Sequence, residues 1–137
     1  MAKLIRSSTL DDFSPLFDLP GAAFYSLQVK PKPTEITTLG LDGFCVDLGS
    51  TFGDWRDTAR AVAALDVVVC TDSAITHLAG ALGKPVLMVL GKNPCWRWGA
   101  IDSTTTPWYK NHKLFRQVVV DHWPMLAVRQ ELEAMLG

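Results

Sequence analysis

Short apolar runs and longer amphipathic stretches alternate along most of this chain, and the period of each predicts an element. Residues 66–70 (DVVVC) form a Val-rich run short enough for a buried strand. Thr71, Asp72 and Ser73 follow, side chains that favour a helix start. Ile75, Leu78, Ala79 and Leu82 then recur at i, i+3, i+4 and i+7, which predicts a helix burying that face. Gly83 is placed to end the helix, and Pro85 prevents its return. Residues 85–90 are a second apolar run. Strand, helix and strand in succession, with both strands apolar throughout, predict a parallel sheet covered by helices.

The flanks repeat the alternation. Thr9 and Asp11 can cap a short helix through Phe13, Leu16 and Phe17, stopped by Pro20-Gly21. Residues 23–27 read as a strand, 34–39 as a short helix and 44–48 as a second strand. Residues 49–53 are a loop, and Asp54 caps a helix whose inner face is Trp55, Thr58, Ala59, Val62 and Leu65. Asp57 favours the same start through the helix dipole. Beyond Leu90 the pattern breaks: residues 91–109 hold two Pro and the rings of Trp96, Trp98, Trp108 and Tyr109. Residues 113–119 predict a last strand. Asp121 caps a final helix with Pro124 in its first turn and Leu126, Val128, Leu132, Met135 and Leu136 on its apolar face. No internal repeat is present. Strands alternating with helices define a Rossmann-like α/β sandwich with a mainly parallel sheet, read as a single domain over residues 1–137.

Composition narrows the function. Apolar residues make up 48 % and charged residues 20 %, which suits a folded globular chain. A net charge of −1 argues against a general nucleic-acid binder. Cys45, Cys70 and Cys95 are too scattered for a disulfide framework. No CxxC pair exists, and His77, His112 and His122 lack ligand spacing, so no metal site is expected. No apolar run approaches the roughly 20 residues of a transmembrane segment. A cytoplasmic location is the default, with room for peripheral contact at the inner membrane.

Candidate chemistry gathers at the turn between the first central strand and its helix. In open α/β sheets ligands bind at the carboxyl ends of strands, and a helix amino terminus favours an anion there. Asp72 reads either as the helix cap or as a hydrogen-bond acceptor at the strand end; the two can coexist. Ser73 and Ala74 are small enough for a phosphate to approach the backbone, or simply pack tightly. His77 can lean back toward that turn and donate to a phosphate, or it can bond a carbonyl of a neighbouring loop. Several motifs are excluded. Residues 80–85 (GALGKP) have two residues between the glycines where a P-loop has four, and Pro where a P-loop has Ser or Thr. Ser73 lacks a GxSxG setting, and no GxGxxG follows a strand.

Residues 72–85 (DSAITHLAGALGKP) resemble the nucleotide-sugar-binding motif of glycosyltransferase family 9, the heptosyltransferase-like proteins. The chain is also similar to the ends of bacterial tetratricopeptide-repeat proteins that carry such a domain, through Trp96-Arg97-Trp98, Pro107-Trp108-Tyr109 and residues 114–117 (LFRQ). Tyr25-Ser26-Leu27-Gln28 and Val46-Asp47-Leu48-Gly49 resemble their earlier strand ends. The resemblance implies the carboxy-terminal, donor-binding half of a two-domain GT-B fold. Asp72, Ser73, Ala74 and His77 would then hold the diphosphate of a nucleotide sugar. Gln28 and the loop 50–52, with Phe52, would lie near the ribose and base. Lys92 to Trp98 would border the sugar pocket. The nucleotide sugar is a substrate, and neither a cofactor nor a metal is implied.

Two departures stand out. Asp-Ser-Ala replaces the family's Asp-Thr-Gly, and Arg6-Ser7 resembles a pair that follows the family's first strand in this half. That central strand would be missing, and the acceptor half with the family's catalytic base would lie outside these residues. The gap beside residues 67–70 could be closed by residues 3–6, by residues 23–27 or by a second copy in a homodimer. The expected function is donor binding without turnover alone. The alternative is a non-catalytic interaction module using the Trp-rich loop 91–109. A hydrolase ranks last, having no placed nucleophile.

Overall fold

The computed structural model describes residues 10–27, 35–38, 40, 43–91, 103–117 and 122–136. The chain divides into two compact units, one built on Ala59–Pro124 and the other on Thr9–Thr58 with Met125–Gly137. The strands are β1 (Phe24–Ser26), β2 (Cys45–Asp47), β3 (Val68–Cys70), β4 (Val86–Leu90) and β5 (His112–Arg116). The helices are α1 (Glu35–Thr38), α2 (Trp55–Ala64), α3 (Ala74–Ala81) and α4 (Met125–Leu136), with 3-10 turns at Leu10–Leu16 and Gly49–Thr51. Every strand pair is parallel, and among the described residues helices stand between β1 and β2, between β2 and β3 and between β3 and β4, so the α/β class read from the sequence holds.

In the first unit the sheet order is β3-β4-β5. Val68 pairs with Val86, and Val86 with His112. β4 is the middle strand, and all five of its residues are buried, as an unbroken Val-Leu-Met-Val-Leu run requires. Helix α3 packs on β3 and β4. Its carboxyl end is a Schellman motif: Gly83 at φ +72° donates to Gly80 O, and Lys84 N donates to Ala79 O. Asn111 Nδ2 donates to Gly83 O at 2.7 Å, and Val86 N donates to Asn111 O at 2.9 Å. On the outer edge of β5, Leu114 N donates to Thr104 O and Arg116 Nε to Ser103 O, so loop backbone covers part of that edge.

In the second unit β1 and β2 form a two-stranded sheet, with Phe24 opposite Cys45. Phe17, Ile36 and Cys45 make a core flanked by Phe13 and Phe24. Phe17 meets Phe24 edge-on at 5.3 Å. Helix α4 packs on the Leu10–Leu16 turn and buries Met125, Val128 and Leu132. Arg129 ties the two elements, donating to Pro15 O at 2.6 Å and to the Asp18 carboxylate. That guanidinium holds the Asp18 carboxyl below its ordinary value.

Three expectations need correction. The buried face of α3 is Thr76 and Ala79, both fully buried, while Leu82 is 43 % exposed and Ile75 and Leu78 are half-buried. At about 100° per residue, the buried face is turned by roughly 80° from the one the apolar period suggests, with Ala79 common to both. Trp55 is 54 % exposed, so the inner face of α2 is Thr58 and Val62. On α4, Leu126, Met135 and Leu136 are exposed and Met125 is buried. Of the intrachain repairs for the gap beside residues 67–70, residues 23–27 carry β1, which pairs with β2 within its own unit. Residues 3–6, the other proposed intrachain repair, lie outside the described residues.

Candidate functional site

β3 ends at Cys70, and α3 opens four residues later. Ser73 is the N-cap, not Asp72, and its backbone is extended at φ −146° and ψ 172°. Its side chain makes no cap hydrogen bond; Ser73 Oγ donates to Thr71 O at 3.4 Å. Thr76 N donates to Ser73 O at 3.1 Å, tightening the first turn. Helix geometry gives the N–H groups of Ala74 and Ile75 no acceptor within α3. Ser73 and Ala74 are exposed and Asp72 is half-buried. No acidic residue lies in the first turn of α3, so the positive end of its dipole is not answered from within the helix.

One turn in, His77 Nδ1 lies 2.9 Å from the Tyr109 hydroxyl. The partner therefore comes from a neighbouring loop, as one reading of His77 required, but it is a side chain rather than a carbonyl. The Tyr109 ring stacks on His112, with centroids 4.7 Å apart and planes 25° apart. His112 is buried, and its Nε2 lies 2.8 Å from Thr76 Oγ1. Thr76 Oγ1 also contacts Met88 Sδ at 3.5 Å. Burial pushes the His112 imidazole below its ordinary value, with nearby His77 adding to the effect. Gly80 completes the group: a Cβ there would lie within 2.7 Å of the Tyr109 ring atoms Cγ and Cε1. Only glycine lets the ring lie against the helix backbone.

Cys70, at the same strand end, is buried, and that burial pushes its thiol up to about 12. A group so reluctant to ionise is no nucleophile. Among the described residues no cluster of His, Cys, Asp or Glu could hold a metal ion.

Of the residues singled out by sequence, Asp72, Ser73, Ala74 and His77 share the opening of α3. Phe52 belongs to the other unit, where it is half-buried and its N–H donates to Gly49 O. Gln28, Lys92 and Trp98 lie outside the described residues. Sequence reasoning missed Thr76, Gly80 and His112 and read Tyr109 only as part of the aromatic loop 91–109. The available signals were a Thr and a Gly inside an otherwise apolar helix, and a His where the last strand begins.

Comparison with known proteins places the arrangement. The profile of glycosyltransferase family 9 (heptosyltransferase) matches residues 54–128, more than half of the sequence. The chain belongs to that family. It is also 29 % identical over 107 residues to protein FlbA of Caulobacter vibrioides, a match covering 75 % of this chain and 17 % of FlbA. The chain thus spans about a sixth of the length of that relative. No solved structure matches the chain significantly. Among the described residues no helix is long and apolar enough to cross a membrane.

Proposed function

We propose that this chain is the donor-binding half of a glycosyltransferase and binds the diphosphate of a nucleotide sugar at the opening of α3. The observation that carries the reading is the uncapped start of α3 at the carboxyl end of β3, with exposed Ser73 and Ala74 and His77 one turn in. Backbone N–H groups and the helix dipole take the anion, and the small side chains let it approach closely. His77 donates a hydrogen bond to a phosphate oxygen. Asp72, itself an anion, serves better as an acceptor for a donor hydroxyl than as a phosphate contact. Positive helix ends and polar hydrogens can stabilise a departing diphosphate without a metal.

In this reading the acceptor and its general base come from a second half. A base must stand within hydrogen-bond reach of the acceptor, so the 137-residue chain alone is expected to show only trace sugar transfer. Calorimetric titration with a panel of nucleoside diphosphates tests the donor site without requiring turnover. His77→Ala should weaken diphosphate binding by about 1 to 3 kcal/mol, the range for a hydrogen bond to a charged group. Unchanged affinity in that variant would remove His77 from the site.

A further inference from the structure

We propose that Tyr109 is a positioning residue that holds His77 in the tautomer with its proton on Nε2, so that His77 can donate without being charged. The proposal rests on the donor-site reading above and adds to it the residue that sets the chemistry of its imidazole. The Tyr109 hydroxyl lies 2.9 Å from His77 Nδ1. A phenol hydroxyl can donate as well as accept. It is also a stronger acid than a neutral imidazole N–H, so the favoured direction is phenol O–H donating to the Nδ1 lone pair. A neutral imidazole accepting at Nδ1 carries its hydrogen on Nε2. Were His77 to gain a second proton, the same hydroxyl could accept from Nδ1–H, so the partnership survives in either charge state.

A hydroxyl can fix a tautomer only if it is itself held. Three contacts hold this one. The Tyr109 ring stacks on His112, His112 is tied to Thr76 on the buried face of α3, and the missing side chain at Gly80 seats the ring against that helix. Tyr109 therefore moves with α3, the element that carries His77. The long-range pairing of residues 76, 77 and 80 with 109 and 112 explains why polar groups occupy a face that apolar residues could have filled.

The test uses the full chain labelled with ¹⁵N. Long-range proton–nitrogen correlation spectra separate the two imidazole tautomers by their ring-nitrogen shifts, with His77→Gln assigning the signals. In the wild type His77 should show the Nε2–H pattern at neutral pH. Tyr109→Phe keeps the stack and removes only the hydroxyl; it should move His77 toward a mixture of tautomers and weaken nucleoside diphosphate binding about three- to tenfold. An Nδ1–H pattern in the wild type overturns the proposal and needs no variant. So does a His77 pattern unchanged in a folded Tyr109→Phe. A wild type that binds no nucleoside diphosphate sinks the donor site instead, and the ring shifts still decide whether Tyr109 sets the tautomer.

Discussion

At the start of α2, Asp54 Oδ1 accepts from the N–H of Arg56 at 2.9 Å and of Asp57 at 3.3 Å, and Asp57 reaches back to the N–H of Gly53 at 2.8 Å. The Arg56 guanidinium then closes over the same Asp54 carboxylate. At the start of α3, Ser73 turns its hydroxyl to Thr71 O and caps nothing. Both ends present the same problem, amides with no acceptor in their own helix. The first is answered by its own side chains, with an acid in the first turn that would repel an anion. The second carries no such acid and is flanked by small, exposed residues. A helix start can thus be finished for stability or left unfinished for a ligand, and the side chains around it show which.

The largest expected effect tests what holds the unfinished end in place. Gly80→Ala raises helix propensity, yet it should destabilise the protein by about 1 to 3 kcal/mol in urea unfolding, because the added methyl meets the Tyr109 ring. A neutral or stabilising result would mean that the ring gives way. Next, Asp54→Ala should cost about 1 kcal/mol of stability and leave nucleoside diphosphate binding unchanged. Ser73→Ala should cost only a few tenths of a kcal/mol, because no cap bond is lost. Equal losses in the two variants would erase the contrast between the helix starts.

The smallest effect is read against pH. Burial lowers the His112 imidazole from its ordinary 6.5, so the unfolded chain takes up that proton first. Stability should be full above pH 6.5 and should fall as pH drops from there toward the lower folded value. His112→Gln should flatten that segment of the urea-midpoint profile. The Asp18 carboxyl, lowered from 3.8 by Arg129, acts in a separate and more acidic window. Its contribution is present above 3.8 and is lost as pH falls through its folded value.

The central strand–helix–strand unit was legible in the sequence because its strands are apolar runs and its turns carry Ser, Gly and Pro at the positions their geometry demands. The parallel sheet, the Asp54 cap and the Gly83 stop follow from local chemistry. The orientation of α3 was not legible. Hydrophobic period selected Ile75, Leu78, Ala79 and Leu82, whereas the buried face pairs Ala79 with a Thr satisfied by His112, and the half-buried Gly80 is fitted to Tyr109. Thr76 and His112 lie 36 residues apart. A buried hydroxyl is affordable only once its partner is present, and that partner is invisible to any local window. The exposure of Trp55 and Leu126 has the same origin: an amphipathic pattern gives a helix a stripe, while tertiary packing decides where the stripe ends.

The Gly83–Asn111 contact has a mechanical consequence. It fastens the carboxyl end of α3 to the residue just before β5, and β5 is itself hydrogen-bonded along β4. The helix is therefore clamped at the end remote from its open amides. Thr76, in the first turn, is held through its hydroxyl by buried His112, so the helical rod has a second hold close to its open amides, and only exposed Ser73 and Ala74 and half-buried Ile75 lie beyond it. Tyr109, reaching the helix at Gly80 and His77, stands partway along that rod and limits how far its open end can swing.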